Sequence, residues 1–249
     1  MIDPRQYHET ERRLRSFFEE QGLIEVHTQS RLSILAACED PRTIATFDYA
    51  GEVWPLPQTG QMHLEHELLR DPTALGFFCF STSYRQEPNP IPGRHDLIFP
   101  MAEFELPGDI KVLEVFERAL LSYLGFDPCR FEGGSYADIA RQYGVNEITA
   151  MEEDRILGDY GEVFFLRRFP QSTSPFWNMK KVGDHAEKID VIIHGVETIG
   201  SAERSTDPEE MRELFHTISD GIYADILFAK FGRARVLDEL NEFLAHDFF

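Results

Sequence analysis

No stretch of this chain approaches 18 consecutive apolar residues, so no membrane-spanning helix is expected. Cysteine is scarce: Cys38, Cys79 and Cys129 show no CxxC pair and no metal-ligand spacing. That argues against a disulfide framework or a zinc site and fits a reducing cytoplasm. The N-terminus, Met1-Ile2-Asp3-Pro4-Arg5-Gln6, lacks the pattern of a signal peptide. Basic residues are also in deficit. Twenty-four Lys and Arg face 44 Asp and Glu, giving a formal charge of −20. Nucleic-acid binding rests on neutralising phosphates with Lys and Arg, so a general RNA-binding surface is disfavoured; a local basic groove is still compatible. Most of the acidity serves solubility.

With 249 residues, 42% of them hydrophobic and 12% aromatic, the chain can bury a real core as one large domain or two small ones. Residues 5–21 have helical spacing, with Tyr7, Leu14, Phe17 and Phe18 on one side, and Gly22 ends that helix. Leu23–Thr28 reads as a strand, and residues 43–57 read as a hairpin turning at Ala50-Gly51. Gln61–Arg70 reads as a helix, Phe77–Glu87 as a strand and Val112–Leu124 as an amphipathic helix. In residues 127–160, Tyr136–Arg141 and Asn146–Gly158 read as short helices of an insertion. Glu162–Leu166 is expected as a buried strand and Lys188–His194 as another, closed by Gly195. Pro208 starts a helix to about Ser219, and residues 221–244 are helical with a break near Gly232. There is no repeat, low-complexity tract or Gly/Ser linker. Strands without regular βαβ alternation predict an α+β domain, a mostly antiparallel β-sheet flanked by helices.

The densest chemistry lies in Tyr84-Arg85-Gln86-Glu87, then Arg94-His95, then Phe99 to Glu105. Two strands joined by a Pro/Gly-rich loop gather two arginines, a histidine, several carboxylates and an aromatic. Such a set suits a nucleotide: guanidinium groups take phosphate oxygens, an aromatic face takes a purine, and carboxylates take Mg²⁺ or an amino group. The hairpin resembles motif 2 of class II aminoacyl-tRNA synthetases, in the aspartate/asparagine/lysine branch. Further segments fall in the order of that family's catalytic core, and the resemblance covers roughly residues 8–125 and 160–220. Residues 12–28 resemble motif 1, a helix and strand that in the family build a dimer interface; Gln29 stands where the family usually has proline. Leu56–Leu64 resembles a polar segment that holds the α-amino group of the amino acid. Leu64 stands where the aspartyl branch has lysine.

The resemblance implies a role for each matching residue. Gln58 and Gln61 would bind the amino acid. Arg85 would bind the α-phosphate and the reacting carboxylate, Glu87 the adenine amino group, Arg94 and His95 the outer phosphates, and Phe99 would stack on adenine. Ile98 stands where the family often has glutamate, and Glu103 and Glu105 match acidic positions. Asp190 and Glu197, seven residues apart, would hold Mg²⁺ bridging the ATP phosphates. Gly200 would let the backbone approach the substrate, and Arg204 falls where aspartate- and asparagine-specific members read the side chain.

Together these imply a single catalytic domain over residues 1–249, with ATP and Mg²⁺ as cofactors and a homodimer as its assembly. An anticodon-binding domain before motif 1 and the C-terminal motif 3 segment are not found in the chain. The expected function is activation of aspartate or asparagine as an acyl-adenylate, followed by transfer to a nucleophile. An asparagine-synthetase-like ligase using ammonia is the first expectation. The alternatives are a synthetase paralogue that loads tRNA or a carrier, with tRNA disfavoured by charge, and a non-catalytic nucleotide-binding regulator.

Overall fold

The computed structural model describes residues 2–28, 32–35, 41–173 and 175–249; Gln29 and Cys38 lie outside them. The chain forms two compact units, Met1–Pro107 with Asp207–Phe249, and Gly108–Thr206.

The first unit begins with helix α1 (Pro4–Glu20), capped by Asp3, whose carboxylate accepts from the backbone N–H groups of Arg5 and Gln6 at 2.9 Å. Pro4 at its first position lacks an N–H that the helix would leave unpaired anyway. Strand β1 (Ile24–Glu25) follows, then the hairpin β2 (Thr46–Tyr49) and β3 (Glu52–Pro55), helix α2 (Gln61–Arg70), and strands β4 (Phe77–Tyr84) and β5 (Ile98–Glu105). At the β2–β3 turn Ala50 and Gly51 have φ of 54° and 84°, the left-handed pair that a two-residue hairpin requires. β1 pairs parallel to β4, and β4 pairs antiparallel to β5. The expected six-residue strand Leu23–Thr28 is a two-residue one; Val26 N–H still donates to Phe78 O at 2.9 Å, and the ladder ends there. β4 stops before Glu87 because Gln86 N–H turns away to Thr43 O, 2.8 Å distant.

Alternation sorts the β4–β5 pair into two faces. Phe78 and Phe104 meet Phe18 of α1, with ring centroids 5.0 and 5.6 Å away. Cys79 points the other way, with Leu64 and Leu68 of α2. One face is thus closed by α1, and α2 covers the start of the other.

The second unit carries helix α3 (Ile110–Leu124), strand β6 (Phe131–Ser135), helices α4 (Tyr136–Tyr143) and α5 (Ala150–Tyr160), and strands β7 (Val163–Pro170), β8 (Lys181–Val182), β9 (His185–Ile193) and β10 (Val196–Ala202). The strand order is β10-β9-β7-β6, with β8 also on β9. Residues 127–160 therefore supply a strand, β6, as well as the two helices. β6 runs parallel to β7, and the other pairs of this sheet are antiparallel. β7 is apolar on both faces, which suits a strand covered on both sides. Phe164, Leu166 and Phe169 pack with Tyr136, Ile139 and Ile156 of α4 and α5. Val163 and Phe165 pack with Ile189, Val191 and Leu121 of α3.

The chain returns to the first unit with α6 (Pro208–Thr217), α7 (Ile222–Phe231) and α8 (Arg233–Leu244), broken at Gly232 as the composition predicts. Lys230 Nζ donates to Ile44 O at 2.6 Å, and the Arg235 guanidinium lies 3.9 Å from the Trp54 ring centroid. Those contacts tie the C-terminal helices to the β2–β3 region. The fold is α+β, as expected. Among the described residues no helix is long and apolar enough to cross a membrane.

Glu117 of α3 is fully buried. Burial pushes its carboxyl up from 4.5 to about 7, against the pull of Ser201 and Arg118. A group whose folded pKa is raised favours the fold while protonated in both states and loses that contribution as pH rises. Stability should therefore fall between about pH 4.5 and 7, by roughly 3 kcal/mol from this residue. Glu117→Gln should raise the thermal midpoint at pH 8 and leave it nearly unchanged at pH 5. An equal effect at both pH values would refute the assignment.

Candidate functional site

Arg85 follows β4 and continues its pairing, since its N–H donates to Leu97 O at 2.8 Å. Its odd position puts it on the face opposite α1, with Ser81, Ser83 and their partners Met101 and Phe99. The guanidinium carbon stands 5.3 Å from the Phe99 ring centroid. A cation over an aromatic face is attractive, and the contact helps hold the guanidinium beside Phe99. Glu87 and His95 meet across the loop, Nδ1 to Oε2 at 2.8 Å. Arg94 and His95 both turn back to Ile91 O, at 3.1 and 2.9 Å. The structure thus brings Arg85 to Phe99 and Glu87 to His95.

Helix α2 begins at Gln61 with Gly60 as its N-cap, which has no side chain to accept from the free N–H groups. Glu103 of β5 supplies that acceptor from another element. Its two oxygens take the Gly60 N–H at 3.0 and 2.9 Å, and it also accepts from the hydroxyls of Thr59 and of Ser81, the latter at 2.6 Å. The negative carboxylate also suits the positive end of the helix. Gly60 is needed for this approach. A Cβ there would stand 2.8 Å from Thr28 Cγ2 and 2.9 Å from Cys79 Sγ. The pairing of Glu103 with this helix start escapes a sequence reading of β5 alone; the missing Ser, Thr, Asp or Asn at the cap is the signal that an acceptor comes from elsewhere.

Gln58 is fully buried and its amide donates to Thr43 Oγ1 at 2.8 Å. In this structure it serves as a packing residue of its loop. Gln61 is partly exposed at the first position of α2, its N–H donating to Thr59 Oγ1 at 3.0 Å. A cavity of about 590 Å³ is lined by Thr59 and Gly60 together with Glu25–Thr28 and β4 residues; Gln58, Arg85 and Phe99 do not line it.

In the second unit the charged face lies on β9 and β10. Gly200 pairs with Asp190 and Glu197 with Ile192, and the register shifts between Glu197 and Ile199. Residues 197 and 200 would ordinarily fall on opposite faces of a strand. The bulge adds one residue and returns them to the same face. A Cβ at Gly200 would stand 2.8 Å from Glu197 Oε1 and 3.6 Å from Asp190 Oδ1, so both carboxylates converge over this glycine. Asp190 is buried and Glu197 exposed. Two carboxylates over an open backbone fit a hard divalent cation. Among the described residues no group of three or more metal-ligating side chains is assembled. Lys188 is already in the site, its Nζ 3.0 Å from Asp190 Oδ2. Arg204 is partly exposed just after β10, in a one-residue antiparallel bridge with Met179. Its neighbour Glu203 pairs with Lys180 at 2.5 Å and caps α3 through Ile110 N–H at 2.9 Å.

Residues 5–232 match the family described as tRNA synthetases class II (D, K and N). The aspartate–tRNA(Asp) ligase of Pyrobaculum aerophilum is 34% identical over 108 residues, 41% of this chain and 25% of that protein. The asparaginyl-tRNA synthetase of Pyrococcus horikoshii, solved with asparaginyl-adenylate, superposes with a TM-score of 0.72 at 19% identity, over 94% of this chain and 63% of that one. The asparaginyl-tRNA synthetase of Entamoeba histolytica, also with asparaginyl-adenylate, gives 0.72 at 18% identity over 97% and 63%. At such identities the structural likeness speaks to the fold. The chain spans a quarter of its curated relative and less than two thirds of these solved chains.

Two substitutions test the Glu103 junction. Gly60→Ala should destabilise the protein by about 1–3 kcal/mol through overpacking. Glu103→Gln should cost about 2 kcal/mol by removing charge-assisted acceptors. Urea unfolding measures both, and wild-type midpoints would show that the helix start does not depend on this contact.

Proposed function

The chain belongs to the class II tRNA synthetase family (D, K and N), and from that premise we propose that it activates aspartate or asparagine with ATP. The observation that carries this reading is the Arg85–Phe99 pair, a partly exposed guanidinium held 5.3 Å from an aromatic centroid at the end of the strand pair. ATP offers that pair a base to stack and a phosphate to neutralise. In the proposed reaction a carboxylate oxygen of the amino acid attacks the α-phosphorus, the α–β bridging oxygen leaves with pyrophosphate, and an acyl-adenylate forms. Arg85 binds the α-phosphate and the incoming carboxylate, and so brings two negative groups into line while spreading their charge. Glu87 accepts from the adenine amino group, and Arg94 and His95 meet the outer phosphates. Gln61 binds the α-amino group of the amino acid, and Arg204 reads its side chain. Gln58 acts from behind by packing against Thr43 rather than by touching substrate. The face that carries Asp190 and Glu197 would take Mg²⁺, which when bound would neutralise charge on the phosphates.

For the acceptor, tRNA is the reading we favour. The relatives described above are named as tRNA ligases of the aspartate and asparagine kinds, which supports tRNA over the ammonia of an asparagine-synthetase-like ligase. One observation keeps ammonia as the second reading: a chain of charge −20 offers little general attraction to a polyanion.

Amino-acid-dependent ATP–pyrophosphate exchange with the full-length protein and all twenty amino acids tests the activation step. Exchange with aspartate or asparagine alone is expected, and tRNA or ammonia added in turn identifies the acceptor. Failure with every amino acid, even with tRNA or ammonia present, would sink the proposal. Arg85→Ala should lower exchange by about 10²–10³-fold. Arg204→Ala should relax side-chain selection more than it weakens ATP binding. Equal loss of both would remove Arg204 from the specificity role.

A further inference from the structure

Lys188 and Asp190 stand two residues apart on β9, so the strand repeat puts both side chains on one face. Each is only 8% exposed, and Nζ lies 3.0 Å from Oδ2. The same ammonium stands 4.2 Å from the Phe169 ring centroid. A lysine ammonium is a compact, strongly hydrated charge, and its removal from water is tolerated where a carboxylate and an aromatic face replace the lost hydration. Lys188 therefore sits in a built position. Across the ladder, Glu197 brings Oε1 to within 2.8 Å of the point where a Gly200 Cβ would stand, and Asp190 Oδ1 lies 3.6 Å from it. Lys188, Asp190 and Glu197 together sum to one negative charge. Without the lysine the same face would present two to an arriving cation.

We propose that Lys188 is the resident counter-cation of this face, holding Asp190 so that Glu197 is the carboxylate that meets a divalent cation. The lysine weakens the site's own hold on the ion, and phosphate oxygens of the nucleotide complete its coordination. The cation accordingly enters with the nucleotide rather than ahead of it. Naming the nucleotide rests on the function proposed above. Cation binding is measured without nucleotide or amino acid, so the two readings fail separately.

The probe is Mn²⁺ alone, titrated into the full chain with free ion followed by electron paramagnetic resonance. Lys188→Gln removes the charge and keeps a hydrogen-bond donor toward Asp190; Lys188→Met is the second variant, and thermal midpoints show which proteins are folded. The wild type should bind Mn²⁺ weakly or without saturation, and the folded Lys188 variants should bind about tenfold more tightly or acquire saturable binding. Where the wild type saturates, Asp190→Asn should change affinity by less than about threefold and Glu197→Gln should abolish it. A folded Lys188→Gln protein with unchanged or absent Mn²⁺ binding overturns the proposal. So does an Asp190→Asn protein that loses as much affinity as Glu197→Gln.

Discussion

One carboxylate organises the first unit. Glu103 reaches from β5 to the start of α2 and to Ser81 of β4, and so joins three segments far apart in sequence. A helix N-terminus leaves backbone N–H groups unpaired, and the usual remedy is a capping side chain one position before the helix. Here Gly60 occupies that position, and the acceptor is brought from a neighbouring strand. The geometry ties the loop of Gln58 and Thr59 to the same strand pair that carries Arg85 and Phe99. It also fixes register. A one-residue slip of β5 would turn Glu103 toward the apolar face of α1 and Phe104 toward the helix start, and both would lose their partners.

The second unit solves a related problem with a bulge instead of a cap. Charged groups must share one face of a sheet whose strands are mostly apolar on both sides. β9 meets this with Lys188 and Asp190 at alternate positions. β10 cannot do it by alternation alone, because Glu197 and Gly200 are three residues apart. The extra residue at the register shift realigns them. The glycine then matters twice: its missing Cβ leaves room for Glu197 Oε1, and it keeps the backbone open between the carboxylates. The hairpin that joins the strands turns on His194 and Gly195, with φ of 52° and 80°, so the spacing of Asp190 and Glu197 follows from a two-residue turn plus one bulge.

Much of this was legible in residue order. Helix α2 has the bounds its spacing predicts, the Ala50-Gly51 and His194-Gly195 turns fall where glycine permits them, and Gly232 breaks the C-terminal helices. β6 was not legible. Phe131-Glu132-Gly133-Gly134-Ser135 carries two glycines and little apolar alternation, and it becomes a strand because β7 offers a parallel partner. Gly133 has its own reason: a Cβ there would stand 2.7 Å from an Arg167 guanidinium nitrogen. Gln58 illustrates a different limit. Motif likeness carries no information on burial, and Gln58 is fully buried with its amide donating to Thr43 within the protein. Lys188, by contrast, could have been found. A lysine two positions from an aspartate, leading into the apolar run Val191–Ile193, implies a buried pair, since neither charge is tolerated there alone.

The Glu87–His95 contact bears on how a ligand would enter the first unit's hairpin. The two side chains hold each other at 2.8 Å with 21% and 38% of their surfaces exposed. Both proposed roles, adenine contact for Glu87 and phosphate contact for His95, require this pair to open. Exposed pairs of this kind contribute only about 0–1 kcal/mol, because water and counter-ions compete for both partners. A nucleotide would replace that single contact with two, an amino group for the carboxylate and a polyphosphate for the imidazole. The pair therefore closes the loop across itself and opposes binding weakly.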